Sequence, residues 1–298
     1  MLEMTRTTKD ARPAKWWDEH LYNLRRFSQI RLALPGLIIV AVMVLLALTA
    51  DFVAPYDPNF QDYSNVRSPP TWQNPFGTDE VGRDVLSRII YGSRVSLQAG
   101  LVAVGLALAL GVTIGLVAGY FRGLVDSVLM RLMDAVQAFP SLILALAITA
   151  ALGTGLTNAM IAIGIVNTPL FARLVRGQAL TLRELEFVSA AQALGARPAR
   201  IMFRHILPNV VGPLLVQGSI AMSTAIISEA SLAFLGVGAA PPTPSWGSMI
   251  RSGYILLETA PWMSIFPGLA IFITVLGLNF LGDGLRELLD PKLRKAVK

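Results

Sequence analysis

Leu32–Ala50 runs for nineteen residues without one charged side chain. As a helix rising 1.5 Å per residue, such a run crosses about 30 Å of hydrocarbon. Comparable apolar runs follow at Val95–Phe121, about Leu129–Leu152 with Pro140 inside it, about Val210–Leu235 and about Met263–Leu281. Another, about Leu156–Val175, is weaker because Asn158, Asn167 and Pro169 interrupt it. Soluble domains carry about 25% charged residues, and this chain carries 15%, with 54% hydrophobic. The fold expected is an all-α polytopic membrane protein with six transmembrane helices. Gly111, Gly115 and Gly119, spaced by four, predict a groove into which another helix packs closely.

Charge sets the expected orientation. Six spans place both termini on one side. That side then holds the N-terminus, the Arg122–Arg131 turn, the Arg173–Arg204 loop and the tail, with about 20 of the 25 Lys and Arg residues. The other side holds Arg67, Arg83, Arg88, Arg94 and Arg251. By the positive-inside rule, both termini are cytoplasmic. The formal charge of +6 is thereby explained by topology and anionic membrane lipid, without nucleic acid. Residues 1–31 form a cytoplasmic N-terminal segment. Within it Trp16, Trp17, Leu21, Leu24, Phe27 and Ile30 fall near one helical face, which predicts an interfacial helix on the inner leaflet. No apolar stretch precedes Leu32, so the start does not read as a cleavable signal.

Between the fourth and fifth runs lies a basic segment, Phe187–Asn209. Leu182, Leu185, Ser189, Ala193 and Leu194 predict a short amphipathic helix over 182–194. Gly195 suits the left-handed position past its end, and Pro198 the first turn of a second helix, which Pro208 is expected to stop. The order of residues here resembles the EAA loop of ABC-importer permeases: Ala190, Ala191, Gly195, and later Ile206, Leu207 and Pro208 match, with Ser189 in the acidic position. The resemblance implies a coupling loop, 177–209, that docks on an ATPase subunit, with Glu186 as the residue standing in for the missing acid.

The outer segment carries Gly77-Thr78-Asp79-Glu80-Val81-Gly82-Arg83-Asp84 followed by Leu86-Ser87-Arg88. Its carboxylates are accompanied by arginines and no histidine, which argues against acid–base or metal chemistry. The fifth span holds Gln217, Ser219, Ser223, Thr224, Ser228 and Glu229, too polar a set for lipid contact. Glu229 either lines a route or anchors a turn at the outer face. Gly77, Thr78, Asp79, Gly82, Arg83 and Asp84, then Glu229–Gly236, Pro241–Gly247 and Asn279–Arg286, resemble the C-type subunit of the dipeptide, oligopeptide and nickel permease branch, over about Asp57 to Pro291. On that resemblance 32–94 form the first span and external loop, 95–285 a five-helix transport core, and 286–298 a cytoplasmic tail.

Absences narrow the function. No GxxxxGK[ST] phosphate loop occurs, so ATP and Mg²⁺ are expected in partner chains and no cofactor in this one. The chain has no cysteine and only His20 and His205, so neither a thiolate nor a histidine metal site is expected. The resemblance implies a bacterial inner-membrane permease subunit, not an enzyme, paired with a homologous permease, two ATPase subunits or domains and an external solute-binding protein. It implies half of an alternating-access route, with Gln217, Ser223, Thr224, Ser228 and Glu229 as candidate lining. Short peptides lead a nickel complex as cargo, because no soft metal ligand lies in the spans. The other readings are an ion-coupled transporter acting alone, and an intramembrane hydrolase, whose adjacent Ser228 and Glu229 would point about 100° apart on a helix.

Overall fold

The computed structural model describes Ile30 and residues 32–289. The expected interfacial helix therefore lies outside the described residues except for Ile30, as does the tail from 290 on. Among the described residues the elements are helical, joined by loops, with one isolated bridge between Thr78 and Asp84. We label them α1 (Ala33–Leu48), α2 (Val85–Phe121), α3 (Gly123–Gln137), α4 (Ser141–Leu152), α5 (Leu156–Arg183), α6 (Glu186–Ala193), α7 (Pro198–Phe234), α8 (Trp246–Tyr254) and α9 (Trp262–Leu289). Helices dominate because hydrocarbon offers no partner to a bare N–H or C=O, and a helix satisfies its own.

Four of these, α2, α5, α7 and α9, are long and apolar enough to cross a membrane. The α3–α4 pair makes a fifth if its two arms, bent by 92°, form one span. The break falls at Pro140, where the sequence interrupts its third apolar run; Pro140 begins α4 with ψ 127, outside helical space. α1 has 16 residues, about 24 Å at 1.5 Å each. It ends at Thr49, whose N–H and Oγ1 both donate to the Leu45 carbonyl, and one more turn follows at Ala50–Val53. Length and apolarity thus give four spans, or five with the bent pair; the expected six is not established by them. α2 also begins ten residues earlier than its apolar run, at Val85, because Asp84 caps it.

The core sits where small residues let helices meet. α2 packs along α5 more extensively than any other pair. A Cβ at Gly111 would lie 2.6 Å from the Phe171 Cβ, one at Gly115 2.5 Å from the Ala172 carbonyl, and one at Gly119 2.7 Å from the Ala179 Cβ. The predicted groove is therefore filled by α5. Around it Ala103, Ala107, Leu116, Ile163, Phe171 and Val175 are buried in one cluster that extends into α7. α9 packs on α1 and α7, and Trp246 of α8 closes the other end of the core, fully buried, donating from Nε1 to the Ile89 carbonyl at 3.0 Å.

Candidate functional site

The loop expected to couple differs from its predicted outline in two places. α5 runs on to Arg183, and Glu184 and Leu185 separate it from α6, so the short helix begins at Glu186 rather than Leu182. Leu185 is extended (ψ 149), which turns the chain before α6 starts. Gly195 has φ +77, the left-handed conformation expected of it, and its N–H donates to the Gln192 carbonyl at 2.9 Å. Pro198 stands in the first turn of α7, also as expected. Pro208, however, does not end that helix. Residues Ile201–Ile206 form a π-helical turn, with the Leu207 N–H reaching back to the Met202 carbonyl. The wider turn accommodates a ring that has no N–H and would clash with the carbonyl four residues back. The helix then continues to Phe234.

This loop is fixed on one side and bare on the other. Val188, Ala191, Ile201, Met202 and Ile206 are buried in the main core. Glu186, Ser189, Ala190, Gly195 and Pro208 are exposed, and Leu207 is half-buried. Glu186 and Ser189 lie three residues apart on α6, hence on neighbouring positions of one face. Apolar side chains share the open face: Leu194 is 88% exposed, and Leu185, Phe187 and Phe203 are exposed as well.

Three ion pairs tie α3 to α5 near this loop. Arg122 pairs with Glu184, the cap of α5. Arg176 forks onto Asp126 at 2.5 and 2.6 Å, and Arg173 reaches Asp134 at 2.6 Å. Arg183 adds a donor to the Tyr120 carbonyl and lies over the Tyr120 ring.

The polar residues of the fifth span separate onto two faces of α7. Thr224 and Ser228 line a cavity of about 430 Å³ with Gln137, Ser141 and Asn167. Gln217 opens on another cavity of about 450 Å³, beside Arg286 and Leu174. Ser223 and Glu229 face the protein interior instead. The Ser223 hydroxyl lies 3.4 Å from the Ser219 carbonyl and 3.5 Å from that of Val275. Glu229 is fully buried; its Oε2 accepts from Ser96 Oγ at 3.2 Å, and Oε1 has no hydrogen-bond partner among the described residues. The structure therefore brings Thr224 and Ser228 together and leaves the other three candidates apart from them.

The Gly77–Asp84 motif forms a tightly bonded turn. Asp79 accepts from the Val81 and Arg83 amides at 3.0 and 2.9 Å and from Arg83 Nε at 2.6 Å, with Arg88 Nε at 3.6 Å. Asp84 caps α2, accepting from the Ser87 amide and hydroxyl at 2.7 Å each and from Asn74 at 2.9 Å. Gly82 has φ +80, and a Cβ there would fall 1.9 Å from the Asp62 carbonyl. Asp62 accepts from Ser64 and Asn65, whose hydrogen bonds hold its carboxyl below the usual range. Gly77 abuts Ser68 and Trp262, and Thr78 accepts from Trp262 Nε1 at 3.1 Å through its carbonyl. Asp62, Asp79 and Asp84 are each engaged by several donors of this loop and the start of α2, which suits a scaffold rather than a reaction centre.

Residues the sequence did not single out include Gln137, Ser141 and Asn167, which meet Thr224 and Ser228 at the cavity. Asn167 had appeared only as a flaw in an apolar run. A polar residue in such a run, aligned with others at helical spacing on α7, was the available signal.

The family described as the inner membrane component of binding-protein-dependent transport systems matches residues 111–295, and the N-terminal TM domain of oligopeptide transport permease C matches residues 22–70. The dipeptide transport system permease protein DppC of Alkalihalophilus pseudofirmus is 46% identical over 270 residues, 91% of this chain and 89% of that protein. The glutathione transport system permease protein GsiD of Escherichia coli is 45% identical over 271 residues, again 91% and 89%. A chain of the MetNI methionine ABC transporter, solved in inward-facing conformations, aligns with a TM-score of 0.56 at 19% identity, covering 68% of this chain and 97% of that one. That last likeness concerns the fold.

Proposed function

This chain belongs to the family of binding-protein-dependent transport inner-membrane components, and on that premise we propose that it moves short peptides through a route shared with a second permease. It is a membrane-spanning permease subunit of an ATP-driven importer of the peptide and nickel branch, and not an enzyme. Membership replaces the readings as an ion-coupled transporter or a hydrolase. Importers of this family work with partner ATPase and permease subunits and a binding protein. In the proposal, two ATPase subunits carry ATP and Mg²⁺, an external binding protein delivers cargo, and six spans leave both termini in the cytoplasm of a bacterial cell.

The observation that carries the docking site is the open face of 177–209. A loop with a buried core side holds Leu194, Phe187 and Leu185 out to solvent, around the small Ala190 and the left-handed Gly195. Exposed apolar side chains rimmed by polar ones suit a groove on a soluble partner. Glu186, one turn before Ser189–Ala190, supplies the negative charge that Ser189 lacks. The second arm of the loop is the start of α7, where Ile206 is buried in the core, Leu207 is half-buried and Pro208 is exposed. Peptides are favoured as cargo by the two relatives, whose names specify dipeptide and glutathione transport.

The test is ATP hydrolysis in the reconstituted complex, with and without cargo-loaded binding protein. Ala190→Asp and Leu194→Asp are expected to abolish the stimulation by loaded binding protein, or to release the ATPase subunits, while the permease stays folded. Normal stimulation in both variants would place the docking face elsewhere.

A further inference from the structure

The cavity between α3, α4, α5 and α7 sets five uncharged polar side chains among apolar ones that include Phe139, Ile163 and Leu170. Its volume is about 430 Å³, and its hydrogen-bonding groups are Gln137, Ser141, Asn167, Thr224 and Ser228. No lining residue is ionisable. Gln137 and Asn167 both line the cavity, and no hydrogen bond ties their side-chain amides to other described residues. Thr224 and Ser228 donate to carbonyls of their own helix, at 2.9 and 2.8 Å, and so turn lone pairs outward. Polar groups at membrane depth face an aqueous path or a partner, and these five share one cavity. Glu229, next to Ser228 on α7, does not line the cavity; it is buried and turned to Ser96 of α2. Asp134 and Arg173 sit about one turn of α3 beyond Gln137 and two turns of α5 beyond Asn167, towards the loop end, and they pair with each other at 2.6 Å.

Resting on the peptide-transport reading above, we propose that this wall recognises the backbone amides of the cargo and is blind to its side-chain charge. An amide side chain offers one acceptor and two donors, the complement of a peptide unit, which carries one of each. Carboxylates, ammonium groups and metal ions find no opposite charge here, so none is retained in passage. Asn167 and Gln137 are the positioning residues for cargo, and Thr224 and Ser228 accept from its N–H groups. A ring of fixed charge would instead hold oppositely charged peptides and repel like ones.

The test uses the assembled transporter in vesicles and three tripeptides of equal length, one neutral, one containing lysine and one containing glutamate. Each variant is compared with wild type on the same peptide, which cancels the selection made by the binding protein. Asn167→Asp is expected to raise the lysine-to-glutamate uptake ratio by about fivefold or more, because one fixed charge is added beside the path. Asn167→Leu is expected to slow all three peptides by the same factor, with cargo-stimulated ATP hydrolysis retained. Ser228→Asp, on another helix, reports the same ratio shift if Asn167→Asp fails to assemble. Independently, the chain has no cysteine, so Thr224→Cys gives a single thiol; a tripeptide in transit should slow its labelling by a water-soluble maleimide. An unchanged ratio in an assembled, transporting aspartate variant, or labelling indifferent to cargo, overturns the inference. Wild-type vesicles that take up none of the peptides would overturn the peptide reading itself.

Discussion

Asp79 shows how much of the loop between α1 and α2 rests on single side chains. Two backbone amides, the Arg83 guanidinium and Arg88 converge on one nearly buried carboxylate. Removing the negative charge leaves two arginines, one of them buried, without it. Loss of one partner of a buried ion pair costs about 3–5 kcal/mol. Asp79→Asn is therefore expected to destabilise the protein by about 3 kcal/mol, read as a lower apparent melting temperature in detergent. Glu80→Gln removes a partly exposed partner of Arg83 and should cost less than about 1 kcal/mol. Equal losses in the two variants would contradict the assignment of Asp79 as the centre of the turn. The sequence identified this motif by resemblance but not its role, because its decisive contacts are distant along the chain: the Trp262 indole lies 184 residues from the Thr78 it holds, and Pro58 accepts from Arg88. Glu229 was open between a route and an anchor for the same reason. Its surroundings come from α2, and helical periodicity on α7 does not say which neighbour each face meets.

Among elements, small-residue spacing was the most reliable signal. Gly111, Gly115 and Gly119 announced a close helix contact, and α5 occupies it with backbone carbonyls at the sites of the absent side chains. Gly115→Leu is expected to prevent the approach and to leave little folded protein in the membrane. Gly105→Leu, on the same helix with nothing within 4 Å, should leave the amount of folded protein unchanged. Fluorescence-detected size exclusion of tagged protein measures both. The end of the 177–209 loop was less legible. Pro208 carries the ordinary signal of a helix stop, but a π turn absorbs the ring, and that choice depends on burying Ile201, Met202 and Ile206. The α3–α5 ion pairs were invisible to local reading, since their partners stand 39 to 62 residues apart. They link the entrance of α6 to the broken helix that lines the cavity. Arg176→Gln keeps a polar side chain but shortens it, removes its charge and removes the fork onto Asp126. It is expected to cost about 1 kcal/mol in stability at this half-exposed site, yet to lower the fraction of ATP hydrolysis coupled to peptide uptake. Coupling unchanged, measured as peptides moved per ATP, would mean the pairs only brace the fold.

For the whole molecule, the apolar runs and the charge asymmetry were legible because a bilayer imposes both on any chain that crosses it. Which faces meet lipid, a second permease or water was not, since one composition serves the first two and the third shows only as scattered polar residues. Orientation can be tested on this chain directly, because it has no cysteine to remove. Trp72, in the outer loop, is fully exposed at 102%, and Leu194, in the opposite loop, at 88%. An odd number of spans separates them in the proposed topology. Trp72→Cys should react with a membrane-impermeant maleimide in spheroplasts, whereas Leu194→Cys should react only after the membrane is opened. Neither side chain is packed against the core, so both variants should fold. Adding the ATPase subunits should then slow the Leu194→Cys reaction and leave the Trp72→Cys reaction unchanged, since only the first lies on the proposed docking face. Labelling of both thiols from the same side would overturn the topology, and with it the placing of α6 against a cytoplasmic partner.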